Sequence, residues 1–84
     1  MYIFFNNDFQ KKPKKQPRKI QIKFKERYSI FQDDQFHYSL NNHALTGKFK
    51  GIRCINITGN IIVHYKENSD GIIFLDIGSH SELY

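Results

Sequence analysis

Residues Gly78-Ser79-His80-Ser81-Glu82-Leu83-Tyr84 follow directly on the apolar run Ile72-Ile73-Phe74-Leu75-Asp76-Ile77. That run reads as a strand, so His80 and Tyr84 stand at the mouth of a small sheet. An imidazole held there can move protons near neutral pH, and an aromatic beside it can stack on a nucleobase. A second imidazole, His43, lies in Asn41-Asn42-His43. On residue types alone each has a plainer reading. His80 can cap the last strand by bonding backbone, His43 can fix a turn, and Tyr84 can be a packing residue. His37, in a loop, reads as structural or solvent-exposed. Four scattered histidines and one cysteine have no ligand-pair spacing, so no metal site is expected.

Charge points to the partner of this chemistry. The chain has 84 residues, 13 Lys/Arg, 8 Asp/Glu and a net charge of +5. Residues 1–27 hold nine of the basic residues and only Asp8 and Glu26 as acids, whereas residues 28–84 are acidic by two. A basic run is either a solvated face or a surface for nucleic-acid phosphates or an acidic protein. The first candidate substrate is RNA. No run of 18 apolar residues and no signal-peptide pattern is visible, which predicts no membrane association. A lone Cys54 precludes an internal disulfide and fits a reducing cytoplasm; it reads as a small strand residue.

The length predicts one domain, residues 1–84, with a small core. Tyr2–Phe5 reads as a strand. Asn7 or Asp8 can cap a helix from near Phe9, which Pro13 should shorten or break. Pro17 suits the first turn of a second helix, whose Ile20, Phe24, Tyr28 and Phe31 share a face up to Asp33-Asp34. Residues 35–42 read as a polar loop around Phe36, pinned by Leu40. Strands at 48–57, 61–66 and 72–77 alternate with turns at Thr58-Gly59-Asn60 and Asn68-Ser69-Asp70-Gly71. The expected class is α+β, with two N-terminal helices on one face of a small antiparallel meander.

Strand alternation sorts the side chains. Ile61, Val63, Tyr65, Ile73, Leu75 and Ile77 should meet the helices. Lys48, Lys50, Cys54, Asn56, Asn60, Ile62, His64, Lys66, Phe74 and Asp76 should line an uncovered polar face, with His80 and Tyr84 at its edge.

Three blocks carry a resemblance: Leu40-Asn41-Asn42-His43-Ala44-Leu45-Thr46-Gly47-Lys48-Phe49-Lys50-Gly51-Ile52-Arg53, then Ile55–Asn60, then Gly78–Tyr84. In this order and at this length the chain resembles the RelE/ParE superfamily of bacterial type II toxins, and within it the YafQ-like mRNA interferases. The resemblance implies a RelE-like fold and a toxin neutralised by a cognate antitoxin. It implies an endoribonuclease that enters the ribosomal A site and cuts mRNA with no cofactor or metal. A ribose 2′-OH attacks the adjacent phosphate and leaves a 2′,3′-cyclic phosphate, which needs a base, cations and an acid. By position, the resemblance makes His80 the general acid, His43 a base or phosphate ligand, and Tyr84 the stacking aromatic. Arg53, Lys48 and Lys50 become candidates for holding phosphate, while His64 and Lys66 are candidates for RNA contact from their place on the expected polar face alone.

Departures accompany the match. Asn56 stands where the branch has a histidine and Asn60 where it has an aspartate, and asparagine exchanges no proton near neutral pH. His64 is not a family position and is a candidate substitute for a lost group. Pro13 and Gln16 stand where the family has apolar residues, so the first helix should pack poorly. Two further readings follow: a weakened or inactive homologue that binds antitoxin and ribosome only, and a ParE-like gyrase inhibitor. The Gly-Ser-His block and the lysines argue against the second.

Overall fold

The computed structural model describes residues 2–84, without the side chains of residues 8 and 12–14. A strand β1 (Ile3–Phe5) leads into helices α1 (Asn7–Lys15) and α2 (Arg18–Asp33). Strands β2 (His43–Ala44), β3 (Arg53–Asn56), β4 (Ile61–Asn68) and β5 (Gly71–Ser79) follow, and α3 (His80–Leu83) is a single turn. The sheet order is β1-β5-β4-β3-β2. Strands β3 to β5 form the expected antiparallel meander, β2 adds a two-residue antiparallel strand that was not expected, and β1 lies parallel to β5, so the sheet is mixed. The two helices between β1 and the meander form the crossover that a parallel partner requires.

The cap of α1 is Asn6, whose Oδ1 accepts from the Phe9 amide at 2.7 Å, one position before Asn7 and two before Asp8, the expected candidates. The helix is short, nine residues, as expected, and Pro13 does not break it. The proline sits near the C-terminal end, where the lost N–H costs one bond of a short ladder; the packing expected of its ring lies outside the described side chains. In α2 the Ile20, Phe24, Tyr28 and Phe31 face packs on the sheet, with Phe31 fully buried.

Part of β5 runs opposite to the expected alternation. Ile72 and Phe74 are fully buried, while Ile73 and Leu75 are only partly so. The cause is a bulge: His64 pairs with Asp76 but Tyr65 pairs with Phe74, which leaves Leu75 as the extra residue and shifts the alternation by one. The Leu75 carbonyl accepts instead from Asn6 Nδ2 at 3.1 Å, and Asn6 N donates to the Phe74 carbonyl at 3.2 Å. One asparagine thus caps α1 and serves the bulge. Phe74 becomes the hub of the core, in ring contact with Phe5, Phe9, Phe24, Tyr28, Phe31 and Tyr65. Among the described residues no helix is long and apolar enough to cross a membrane.

Candidate active site

The strand register builds a row of ionisable groups across the sheet face opposite the two long helices. His43 of β2 pairs with Cys54 of β3, Cys54 with His64 of β4, and His64 with Asp76 of β5. Directly opposed antiparallel residues share a face, so the four side chains stand side by side, one strand spacing apart. Among the described residues no group of three or more His, Cys, Asp or Glu converges in a way that could hold a metal ion.

This face is not open, as the alternation alone suggested. The single turn α3 folds back over it from the end of β5. Ser79 caps the turn and forms a capping box with Glu82: Glu82 N donates to Ser79 Oγ at 3.2 Å and Ser79 N to Glu82 Oε1 at 2.8 Å. Gly78 permits the close return, since a Cβ there would lie 3.4 Å from Leu83 Cδ2 and 3.3 Å from Glu82 Oε1. Tyr84 then reaches the row, its hydroxyl 2.9 Å from His64 Nε2. Phe49 closes the other side, edge-on to both His64 at 5.6 Å and Tyr84 at 5.1 Å. Beneath this roof His64 is 4% exposed and Cys54 1%.

Burial governs the buried titrations. The His64 imidazole is held below its ordinary value, first by burial and then by His43 and His80, while Asp76 opposes the shift. Burial pushes the Cys54 thiol up, against a smaller downward pull from the Tyr84 hydroxyl. Tyr84 is raised by burial and then by Cys54. For His64, Cys54 and Tyr84 alike, burial is the largest cause and favours the uncharged form.

His43 and His80 lie at the two exposed flanks. His43 Nδ1 is 2.8 Å from the Asn41 carbonyl. Asn41 adopts φ 47, a left-handed turn that asparagine tolerates. Between them Asn42 turns inward: its Nδ2 donates to Tyr65 Oη at 2.6 Å and to the Gln35 carbonyl at 3.1 Å, and its Oδ1 accepts from Arg53 Nε at 2.8 Å. The Asn-Asn-His block is thus a turn residue, an anchor and a presented imidazole. His80 opens α3, exposed, with its ring 6.1 Å from that of Tyr84. Tyr84 is 48% exposed, so part of its ring remains free to stack.

Several expected site residues lie elsewhere. Arg53 pairs with Tyr65 on the helix-facing side, stacks over Phe36 at 5.2 Å and bonds Asn42, because it is one residue out of phase with Cys54. It supports the His43 segment from behind instead of reaching a phosphate on the row. Lys48 and Lys50 are not strand residues. Gly47–Phe49 forms a 3₁₀ turn bracketed by positive-φ Gly47 and Gly51, and both lysines project exposed from it around Phe49. His64 is roofed, which corrects its assignment to direct RNA contact. Lys66, two residues along β4 on the same face, is exposed. Asn56 pairs with Ile62 on the site face, half-buried, whereas Asn60 sits exposed in the turn closed by Thr58 Oγ1. His37 caps the 3₁₀ turn Tyr38–Leu40, its Nδ1 accepting from Ser39 N at 3.2 Å, in keeping with a structural role.

Phe49 escaped the sequence reading because a strand through 48–57 would point it at the helices; the flanking glycines were the available signal for a turn. Asp76 was placed on the correct face, but the bulge that brings it opposite His64 leaves no mark in composition.

Comparison with known proteins bears on the fold and on the family. The search of curated proteins found no match. The structure resembles YafQ from Escherichia coli strain BL21(DE3), at TM-score 0.83 and 20% identity over 99% of this chain and 97% of that one. It resembles YafQ in the Escherichia coli DinJ-YafQ complex at TM-score 0.76 and 20% identity, over 99% and 97% of the two chains. A copper-bound mutant toxin from Helicobacter pylori matches at TM-score 0.76 and 25% identity, over 100% and 99%. The family model for the bacterial toxin of type II toxin-antitoxin systems, YafQ, matches residues 2–84, and the chain therefore belongs to the YafQ family of toxins.

Proposed function

We propose that this toxin is an endoribonuclease that cuts mRNA in the ribosomal A site by internal attack of a ribose 2′-OH. The observation that carries the reading is the pair of exposed imidazoles, His43 and His80, on either side of the Tyr84-roofed row, with Lys48 and Lys50 on the rim. His43 takes the 2′-hydroxyl proton as the 2′-oxygen bonds phosphorus. The lysines offset charge on the phosphorane. His80 protonates the departing 5′-oxygen as the P–O5′ bond breaks, leaving a 2′,3′-cyclic phosphate. Tyr84 stacks on the base beside the scissile phosphate, and Lys66 extends the cationic track. The site of action is the cytoplasm, where the message is translated.

The DinJ-YafQ complex supports a second element, an antitoxin partner that neutralises the protein. Asn56 favours a competing reading, a toxin that binds antitoxin and ribosome without cutting, because it faces the site with no proton to exchange.

Primer extension of a reporter message after induction tests both. Cleavage within codons is expected from the parent and is lost in His80→Ala. A His80→Ala variant that cuts like the parent refutes the acid assignment. An inactive parent that gains cleavage in Asn56→His/Asn60→Asp establishes the binding-only reading.

A further inference from the structure

His64 is a buried polar side chain for which the cleavage chemistry has no use, 4% exposed and roofed by Phe49 and Tyr84. Its Nε2 bonds the Tyr84 hydroxyl at 2.9 Å. The capping box of α3 is internal to the turn and fixes its shape, not its seat on the sheet. The Tyr84 amide in turn donates to the His80 carbonyl at 3.0 Å, so anchoring Tyr84 anchors the residue that opens the turn. We infer that His64 is a positioning residue, a latch that seats Tyr84, and through it His80, over the sheet row and releases them when the ring takes up a proton. The kinetic consequence rests on the nuclease reading; the latch itself does not.

The charged and titratable groups facing His64 set the direction of the switch. They are His43 from β2, Cys54 from β3, Asp76 from β5, and His80 and Tyr84 from α3. Only Asp76 favours a proton on the covered ring; burial and the two histidines oppose it. A ring that resists protonation while covered accepts it more readily once the roof lifts and water enters. By linkage, acid then favours the lifted state.

Three variants test it. His64→Gln keeps an oxygen that can accept from the Tyr84 hydroxyl but does not titrate. His64→Leu keeps the burial and deletes the ring nitrogen, and Tyr84→Phe deletes the hydroxyl, so each removes the bond whichever group donates. Amide-exchange protection of Tyr84 is followed between pH 8 and 5, and kcat and KM are measured on ribosome-bound reporter RNA. In the parent, protection should fall with acid; in His64→Gln it should hold; in His64→Leu it should be low throughout. His64→Leu and Tyr84→Phe should each lower kcat, by up to about 10²-fold as misplacement of a reacting group does, with KM little changed. The double variant should be no worse than either single. His64→Gln should restore most of the rate. Pairwise losses that multiply, or protection in Tyr84→Phe equal to the parent's at both pH values, overturn the latch. If His64→Leu fails to fold, Tyr84→Phe carries the same test, since it touches an exposed ring. A parent that cuts no RNA sinks the nuclease reading, while the exchange measurement still decides the latch.

Discussion

The His43 ring nitrogen Nδ1 lies 2.8 Å from the carbonyl oxygen of Asn41, two residues back on the same turn. A carbonyl only accepts, so Nδ1 carries the hydrogen and the neutral ring keeps its lone pair on Nε2, toward solvent. That is the tautomer a general base needs. His43→Ala should lower single-turnover cleavage by about 10²–10⁴-fold. Because the ring is exposed, the denaturation midpoint should stay where it was. A matching loss of stability would mean that the residue is structural and that the base lies elsewhere.

Asn42 anchors the turn that carries that ring. It bonds Tyr65, the Gln35 carbonyl and Arg53 from a half-buried position. Asn42→Ala leaves those partners unsatisfied, at a cost of about 1–3 kcal/mol. Urea denaturation should register that loss, and kcat should fall together with it because the Asn41–His43 turn loosens. Arg53→Ala removes one of the same bonds and should reproduce part of both effects. If Arg53→Ala instead raises KM for RNA with stability unchanged, its guanidinium reaches a phosphate after all.

How far these relationships can be read from the chain depends on their range. The α2 face of Ile20, Phe24, Tyr28 and Phe31 and the turns at Thr58–Asn60 and Asn68–Gly71 are set by local spacing, and the structure keeps them. Parallel pairing of β1 with β5 joins residues nearly seventy positions apart, such as Ile3 and Ile72, and no local pattern encodes it. The Leu75 bulge is equally silent, because Ile72-Ile73-Phe74-Leu75 is apolar at every position and offers no alternation to interrupt. Its consequence is large: Phe74 moves from the site face to the centre of the core. Around the site, His80, His43 and Tyr84 were legible as types. The roof that buries His64 was not, since it depends on where a four-residue turn folds back.

Buried, neutral His64 also makes stability depend on pH. Its folded-state value lies below the ordinary 6.5, so the unfolded chain binds a proton at a pH where the fold does not. This contribution is fully present above about pH 6.5 and is lost as pH falls through that value toward the folded one. Urea midpoints of the parent should therefore drop between pH 7.5 and pH 5, and His64→Gln should remove part of the drop. An equal fall in both proteins would place the titration on other groups.

Phe74 provides the severest test of the core. Its ring is fully buried and meets six other aromatic rings at centroid distances from 5.4 Å to 6.4 Å, drawn from β1, both long helices and β4. Edge-to-face geometry dominates these contacts, with interplanar angles of 70° to 88° for Phe5, Phe9, Phe24, Tyr28 and Phe31, the arrangement that ring quadrupoles favour. Phe74→Ala should cost about 3–5 kcal/mol through lost transfer energy and the cavity left behind, a large share of what a domain of this size has in hand. The variant should be mostly unfolded at 37 °C by circular dichroism. Phe74→Leu, which refills most of the volume, should remain folded with a lowered midpoint. Ile73→Ala, one residue away on the partly exposed side of the strand, should cost much less. If Ile73→Ala proves the more damaging of the two alanine variants, the bulge at Leu75 is misplaced and the alternation of β5 runs unbroken from Ile72 to Ile77.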